Sequence, residues 1–179
     1  MKQLKGQLIV VNEKDEWLGT MDKMQAHHQG VLHRAFSVFI LNDKNEMLLQ
    51  RRALSKYHSA GLWSNACCSH PYPGESTLAG AHRRLQEEMG FDCDLEPIFN
   101  LRYKANVGND LVENEYDHIY LGYYNSDMLT NEEEVSDHKF MQVTDIVKWM
   151  QEQPDQFTAW FHLALPKFIT YLQQQNIAA

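Results

Sequence analysis

A helix bracketed at both ends and set between runs of strand character constrains this chain more than any other feature. Ser76 can accept a hydrogen bond from the amides of a first turn, and Gly90 can take the left-handed conformation at which helices stop. Between them Leu78, Ala81, Leu85 and Met89 recur at the spacing that gathers apolar side chains on one face. The pattern predicts a helix from Ser76 through Met89. Residues 7–11 and 17–21 flank the polar Asn12-Glu13-Lys14-Asp15 and read as a hairpin. Residues 35–41 and 47–50 flank Asn42-Asp43-Lys44-Asn45 and read as a second. Residues 97–103 and 112–124 follow as strands. Thr144 is placed to cap a helix over residues 145–151, and Thr158 to open a longer one to about residue 175, kinked at Pro166. Strands around a central helix, with helices closing the chain, make a mixed α/β (α+β) domain.

The chain has 179 residues, 44% of them hydrophobic and 22% charged, and no repeat or linker divides it. One domain spanning residues 1–179 is expected. A formal net charge of −8 opposes general affinity for nucleic acid or anionic lipid, although a local basic patch could still hold one phosphate group. No apolar run approaches the roughly 20 residues of a membrane span. The opening MKQLKGQLIVVNEKDEW holds about four apolar residues in a row, too few for a signal-peptide core. The three cysteines, Cys67, Cys68 and Cys93, include no CxxC and suit a reducing compartment, so a cytoplasmic protein is expected.

Chemistry concentrates in a few segments. Of the nine histidines, His58, His118, His138 and His162 have no polar cluster near them in sequence and read as surface or core residues. His27, His28, His33 and His70 stand in loop-like segments beside polar residues. A lone histidine is more often not a ligand, but Glu113 and Glu115 raise the metal reading. On a strand these two point to the same face, and neighbouring carboxylates repel unless a cation or shared proton lies between them. A solvated edge strand is the alternative, which the apolar Leu111, Val112, Ile119 and Tyr120 disfavour. Cys68 and His70, two residues apart, can flank one pocket in which a nearby cation would favour thiolate; a buried, inert cysteine is the alternative. Arg83 with Glu87 and Arg84 with Glu88 are ordinary i,i+4 pairs on a solvated helix, or an acidic pair before a glycine that could hold Mg²⁺ against a phosphate. Lys23, Arg51, Arg52 and Lys56 are scattered cations that together could grip a small diphosphate. Glu132 to Glu134 read as a solvated loop, and Cys93 has no assigned role.

The stretches HHQGVLHRAFSVFI, LLQRRALSKYH, GLWSNACCSHP, GES, RRLQEEMG, LRYKA, LVENE and TAWF, spread in that order from about residue 19 to residue 161, resemble the type I isopentenyl-diphosphate isomerases, a branch of the Nudix superfamily. The Nudix helix pattern, G-x5-E-x7-R-E-U-x-E-E-x-G-U, falls on Ser69, Glu75, Arg83, Arg84, Leu85, Glu87, Glu88, Gly90 and Phe91. Arg84 replaces an acid that the hydrolases use to hold metal, and the isomerases depart in the same way. The resemblance implies a Nudix-like mixed sheet with flanking helices. It implies a metal site on His27, His33, His70, Glu113 and Glu115, with His28 a rival for His27, suited to Mn²⁺ or Mg²⁺ and acceptable to Zn²⁺. It implies a second Mg²⁺ on Glu88 and the diphosphate oxygens. Lys23, Arg52, Lys56, Ser69 and Arg84 match diphosphate contacts, with Arg83 a rival for Arg84. Cys68 and Glu115 match the acid and base of a 1,3-proton shift between isopentenyl and dimethylallyl diphosphate in isoprenoid biosynthesis. Tyr103 matches a tyrosine bonded to that glutamate and Trp160 an indole facing the carbocation; Cys68 rather than Cys67 keeps the Cys-x-His spacing of the motif, and Cys67 is expected to pack. The partner implied is a small diphosphate, acted on by a monomer or weak dimer. Two other readings stand beside this one: a Nudix pyrophosphohydrolase of nucleoside diphosphate derivatives, against which Arg84 speaks, and a non-catalytic metal-binding or sensing domain, which has no use for Cys68, Tyr103 and Trp160 together.

Overall fold

The two polar tetrads fold by the same local chemistry. Between β1 (Gln7–Val11) and β2 (Trp17–Asp22), the Oδ1 of Asn12 accepts from the amides of Lys14 at 2.9 Å and Glu16 at 3.0 Å. Asp22 ends β2 and caps α1 (Lys23–Gln29), its Oδ1 accepting from the Gln25 amide at 3.1 Å. Between β3 (His33–Leu41) and β4 (Met47–Arg52), Asn42 repeats the role of Asn12, accepting from Lys44 at 3.0 Å and Glu46 at 2.9 Å. Asp15 and Asn45 adopt the left-handed conformation that short polar side chains tolerate, at φ 63° and 56°. The structure, a computed structural model, describes residues 6–177; residues 1–5 and 178–179 of the expected domain lie outside the described residues.

After β4 the chain adds β5 (Trp63–Asn65), β6 (Cys67–Ser69), α2 (Thr77–Met89), β7 (Leu95–Gly108), β8 (Leu111–Tyr123), β9 (Val135–Met141), α3 (Val143–Glu152) and α4 (Ala159–Gln174). The strands form one mixed sheet. β3 runs parallel to β8, with His33 beside Glu115, and antiparallel to β6, with Ser37 opposite Cys68. β7 pairs antiparallel with the far edge of β8, while β4 carries β5 and β9 on its two edges. Every residue of β3 from Ala35 to Leu41 is buried, because the strand is covered on both faces. Phe36, Val38 and Ile40 pack with Ala81, Leu85 and Met89 of α2, and Phe39 and Leu41 with Phe161 and Phe168 of α4. Among the described residues, no helix is long and apolar enough to cross a membrane.

α2 starts and stops where the sequence predicts. Ser76 Oγ accepts from the Ala79 amide at 3.1 Å, and Gly90 closes the helix at φ 76°. A Cβ on Gly90 would lie 2.1 Å from the Leu129 carbonyl oxygen, so backbone approach as well as conformation demands glycine there. Leu78 departs from the predicted stripe: it is 37% exposed, because the helix makes its close approach to the sheet half a turn later, at Gly80, where a Cβ would lie 2.8 Å from Phe36. α3 begins before the expected Thr144 cap. Burial of Val143 and Ile146 sets its first turn, and Gln142 makes no side-chain cap bond. Thr158 does precede α4, yet its hydroxyl donates to Ser64 Oγ at 3.1 Å instead of capping. α4 continues through Pro166, which is exposed, so water can take the carbonyl its missing N–H leaves free. The sequence reading missed α1, β5, β6 and β9, each short and without a clean period of its own.

Leu85→Ala is expected to cost about 2–5 kcal/mol of stability and Leu78→Ala less than about 0.5 kcal/mol. Urea denaturation of both variants checks the orientation of α2, which equal losses would contradict.

Candidate active site

β8 presents a carboxylate at every second residue: Glu113, Glu115 and Asp117 are all buried on one face. Tyr103 of β7 and His33 of β3 lie on either side of Glu115 in the sheet. α1 brings in His27, and the chain leaving β6 brings in His70. One ligand atom from each of His27, His33, His70 and Glu113 falls within 4.8 Å of the others. Glu113 Oε2 is 3.3 Å from His27 Nε2 and 3.5 Å from His33 Nε2. His70 Nε2 is 2.9 Å from Glu115 Oε1 and 3.2 Å from His33 Nε2. His33 Nδ1 donates to the Val31 carbonyl at 2.8 Å, which turns Nε2 into the cluster. His27 Nε2 and Glu113 Oε2, facing each other, are buried with no hydrogen-bond partner. Orphaned polar atoms amid imidazoles and carboxylates are the donor set of a divalent cation, so these residues fit a metal.

Electrostatics agree. Burial drives the His27 imidazole down to about 4 and that of His70 well below its ordinary value, leaving both neutral near pH 7. Burial acts the same way on His33, but the nearby carboxylates of Glu113 and Glu115 outweigh it and raise His33 to about 9. Burial and Glu115 both push Glu113 up, yet the neighbouring imidazoles of His33 and His58 outweigh them and hold it at about 2. Without metal, His33 carries the proton that offsets the buried carboxylates, the place a divalent ion would take.

Cys68 sits beside this cluster. Its thiol donates to Asn65 Oδ1 at 3.0 Å and accepts from the Trp160 indole N–H at 3.1 Å. Asn65 is aimed by its own amide, which donates to the Val38 and Cys67 carbonyls, both at 3.0 Å. Burial, and then the charge of Asp117, push the thiol up to about 12, so Cys68 is a neutral thiol. The expected thiolate-favouring cation is overruled by desolvation. Cys67 is buried and packs in the α2-side core, as expected of it. Tyr103 donates to Glu115 Oε2 at 2.6 Å.

Lys23, Arg52, Lys56, Ser69, Arg84 and Glu88 line the same cleft, of about 510 Å³ counted to its open mouth, as Cys68, His70, Glu115 and Trp160. Glu88 Oε1 accepts from Arg84 Nη2 at 2.6 Å and Oε2 from Gln50 at 3.1 Å. Glu134 corrects the solvated-loop reading of residues 132–134. Its Oε1 is 3.0 Å from Arg84 Nη2 and its Oε2 pairs with Lys56. Backbone bonds pin its loop: Asn131 N donates to the Glu88 carbonyl and Ala53 N to the Glu134 carbonyl, both at 2.9 Å. Burial pushes the Glu134 carboxyl up, but Lys56 and Arg84 outweigh it and hold it below the usual range. Glu132 and Glu133 are exposed.

Other candidates separate cleanly. His27 points into the cluster and His28 is exposed. Arg83 is turned away onto Glu75, with two hydrogen bonds of 2.8 Å, and Arg51 donates to the Gly61 carbonyl at 2.9 Å. His118 pairs with Asp15 at 2.9 Å, away from the cleft. His58, read from sequence as surface or core, is instead in the site: it is buried and its Nε2 is 3.0 Å from Glu113 Oε1. Its only signal was its place at the end of the basic stretch that carries Arg52 and Lys56. Gln50, Tyr57, Asn65 and Ser37 were also missed, since each stands against another side chain of the site: Gln50 against Glu88, Tyr57 against His27, Asn65 against Cys68, and Ser37 against Cys68 and Asp117.

Sheet, central helix and cleft define a NUDIX domain, and the family model of that description matches residues 31–161. Among solved structures, DR0079 from Deinococcus radiodurans superposes with a TM-score of 0.75 at 13% identity, over 90% of this chain and 98% of that one. A MutT protein from Methanosarcina mazei Go1 superposes at 0.65 with 19% identity, over 78% and 94%. These likenesses concern the fold. An isopentenyl-diphosphate Delta-isomerase of Pectobacterium atrosepticum is 47% identical over 167 residues, 93% of each chain. One from Burkholderia multivorans is 45% identical over 160 residues, 89% of this chain and 91% of its own length. The chain belongs to the NUDIX family and, within it, to the isopentenyl-diphosphate Delta-isomerases.

Glu113→Gln is expected to strip most of the bound divalent metal, and His58→Gln to weaken metal affinity by about 10–100-fold as the loss of a supporting hydrogen bond. Elemental analysis after dialysis against a graded chelator checks both, and full metal content in Glu113→Gln would remove that residue from the ligand set.

Proposed function

We propose that this chain interconverts isopentenyl diphosphate and dimethylallyl diphosphate by a 1,3-shift of a proton, supplying isoprenoid biosynthesis. A proton adds to the terminal methylene carbon, positive charge appears on the adjacent tertiary carbon, and a proton leaves the carbon on its other side. An unactivated alkene is a poor base, so the site must set an acid at one carbon and a base at the other while keeping water from the cation. The observation that carries the reading is that Cys68 and Glu115 line one cleft with a row of cations at its mouth. Cys68 and Glu115 are the acid–base pair. Tyr103 and the histidines hold Glu115 in place, and Asn65 and the Trp160 N–H hold the thiol. The indole of Trp160 lines the cleft, where its ring can offer a carbocation about 2 kcal/mol when desolvated. Lys23, Arg52, Lys56, Ser69 and Arg84 take the diphosphate.

His27, His33, His70, Glu113 and Glu115 hold Mn²⁺ or Mg²⁺, with Zn²⁺ also compatible, and Glu88 holds the Mg²⁺ that accompanies the diphosphate. Bound there, the ions supply positive charge that offsets the buried carboxylates and the phosphate oxygens. Arg84 supports isomerisation over hydrolysis, since it fills an acidic position of the NUDIX helix and is engaged by Glu88. A cytoplasmic setting suits the free Cys67, Cys68 and Cys93, and the enzyme works as a monomer or weak dimer.

Incubation with isopentenyl diphosphate and Mg²⁺ is expected to yield dimethylallyl diphosphate without free phosphate; phosphate without isomer would overturn the reading. Cys68→Ser is expected to lower turnover by at least about a hundredfold with substrate still bound, and Cys67→Ser to stay near wild type. The reverse pattern would move the acid–base role to the neighbouring thiol.

A further inference from the structure

Glu134 makes a contact that the chemistry above does not use. Lys23, Arg52, Lys56 and Arg84 crowd one cleft mouth in a protein of net charge −8. Like charges this close repel unless an anion lies among them. Glu134 provides one in a particular geometry: each of its two carboxylate oxygens meets a different cation, Oε2 with Lys56 and Oε1 with Arg84 Nη2 at 3.0 Å. That is how a bridging phosphate would be held, one oxygen to each donor. The side chain is 21% exposed, so it has solvent to swing into, while its backbone is fixed to Ala53 and, through Asn131, to Glu88.

We propose that Glu134 is a built-in counter-anion: its carboxylate occupies, across Lys56 and Arg84, the place that diphosphate oxygens take, and substrate and product exchange against it. The inference rests on reading the cleft as a diphosphate site. Its advantage follows from the reaction. Substrate and product carry the same diphosphate, so a tighter grip on that group holds both equally and does nothing for the barrier between them. An internal competitor loosens both alike, and it shields the cations from one another when the cleft is empty.

The test is calorimetric titration of the full-length protein with inorganic pyrophosphate and Mg²⁺, beside the KM for isopentenyl diphosphate. Glu134→Gln keeps the shape and removes the charge. It is expected to tighten pyrophosphate binding by at least about threefold, the scale of one partly exposed ion pair, and to lower KM in step. Glu134→Asp, too short to span both cations, is expected to fall between the two. Glu133→Gln removes the same charge from the exposed neighbouring residue and is expected to leave binding unchanged. Weaker binding in Glu134→Gln would make Glu134 a brace for the cations and overturn the proposal. So would equal tightening in Glu133→Gln, which would reduce the effect to net charge, or an absence of pyrophosphate binding in all forms. Tighter pyrophosphate binding in a protein that forms no isomer would leave this inference standing and sink the isomerase reading.

Discussion

Two carboxylates buried side by side on β8 need positive charge close at hand, and much of the site's arrangement can be understood from that need. Glu113 and Glu115 are held on one face by the pleat, where they cannot turn away from each other. The sheet answers from both sides: β3 brings His33, the end of β6 brings His70, and α1 and the loop after β4 bring His27 and His58. Four imidazoles converge on two carboxylates from segments far apart in the chain. The parallel β3–β8 register therefore matters more to the site than any single ligand, since a one-residue slip would turn His33 or Glu115 to the opposite face.

The cleft joins a hydrogen-bonded thiol to a cluster of cations. Cys68, Asn65, Ser64 and Trp160 form a hydrogen-bonded group that orients the thiol, while burial and the charge of Asp117 keep it neutral. Beside it, Lys23, Arg52, Lys56 and Arg84 make a positive patch on an acidic protein, a field that favours anions at this spot and repels them elsewhere. Both faces of the sheet supply the cleft: α4 delivers Trp160, and α2 delivers Arg84 and Glu88.

Legibility followed the range of the interaction concerned. The α2 caps and both Asn-closed hairpins were readable because a residue and its partner lie within four positions. The neighbouring Glu113 and Glu115 were readable because strand geometry alone puts them on one face, and Cys68 and His70 because a separation of two residues lets them flank one pocket. Leu78, the start of α3 and the strands β5, β6 and β9 were misjudged or missed because burial against distant segments decides them. His58 and Glu134 escaped for the same reason: a histidine ending one loop and a glutamate ending an acidic run gain meaning only from Glu113, Lys56 and Arg84.

The sequence by itself determined a mixed α/β chain, the helix that carries Arg84 and Glu88, the strand that carries Glu113 and Glu115, and, through whole matching stretches, the family to which the chain belongs. These are properties of local periodicity and of residue order, which survive without coordinates. Only the tertiary structure decided that His27 rather than His28 faces the cluster, that Arg84 rather than Arg83 reaches the cleft, that Cys68 is a neutral thiol, and that Glu134 sits between two cations. Each of those turns on which side of an element meets the sheet and how much water is excluded there, quantities that arise when residues tens of positions apart are packed together.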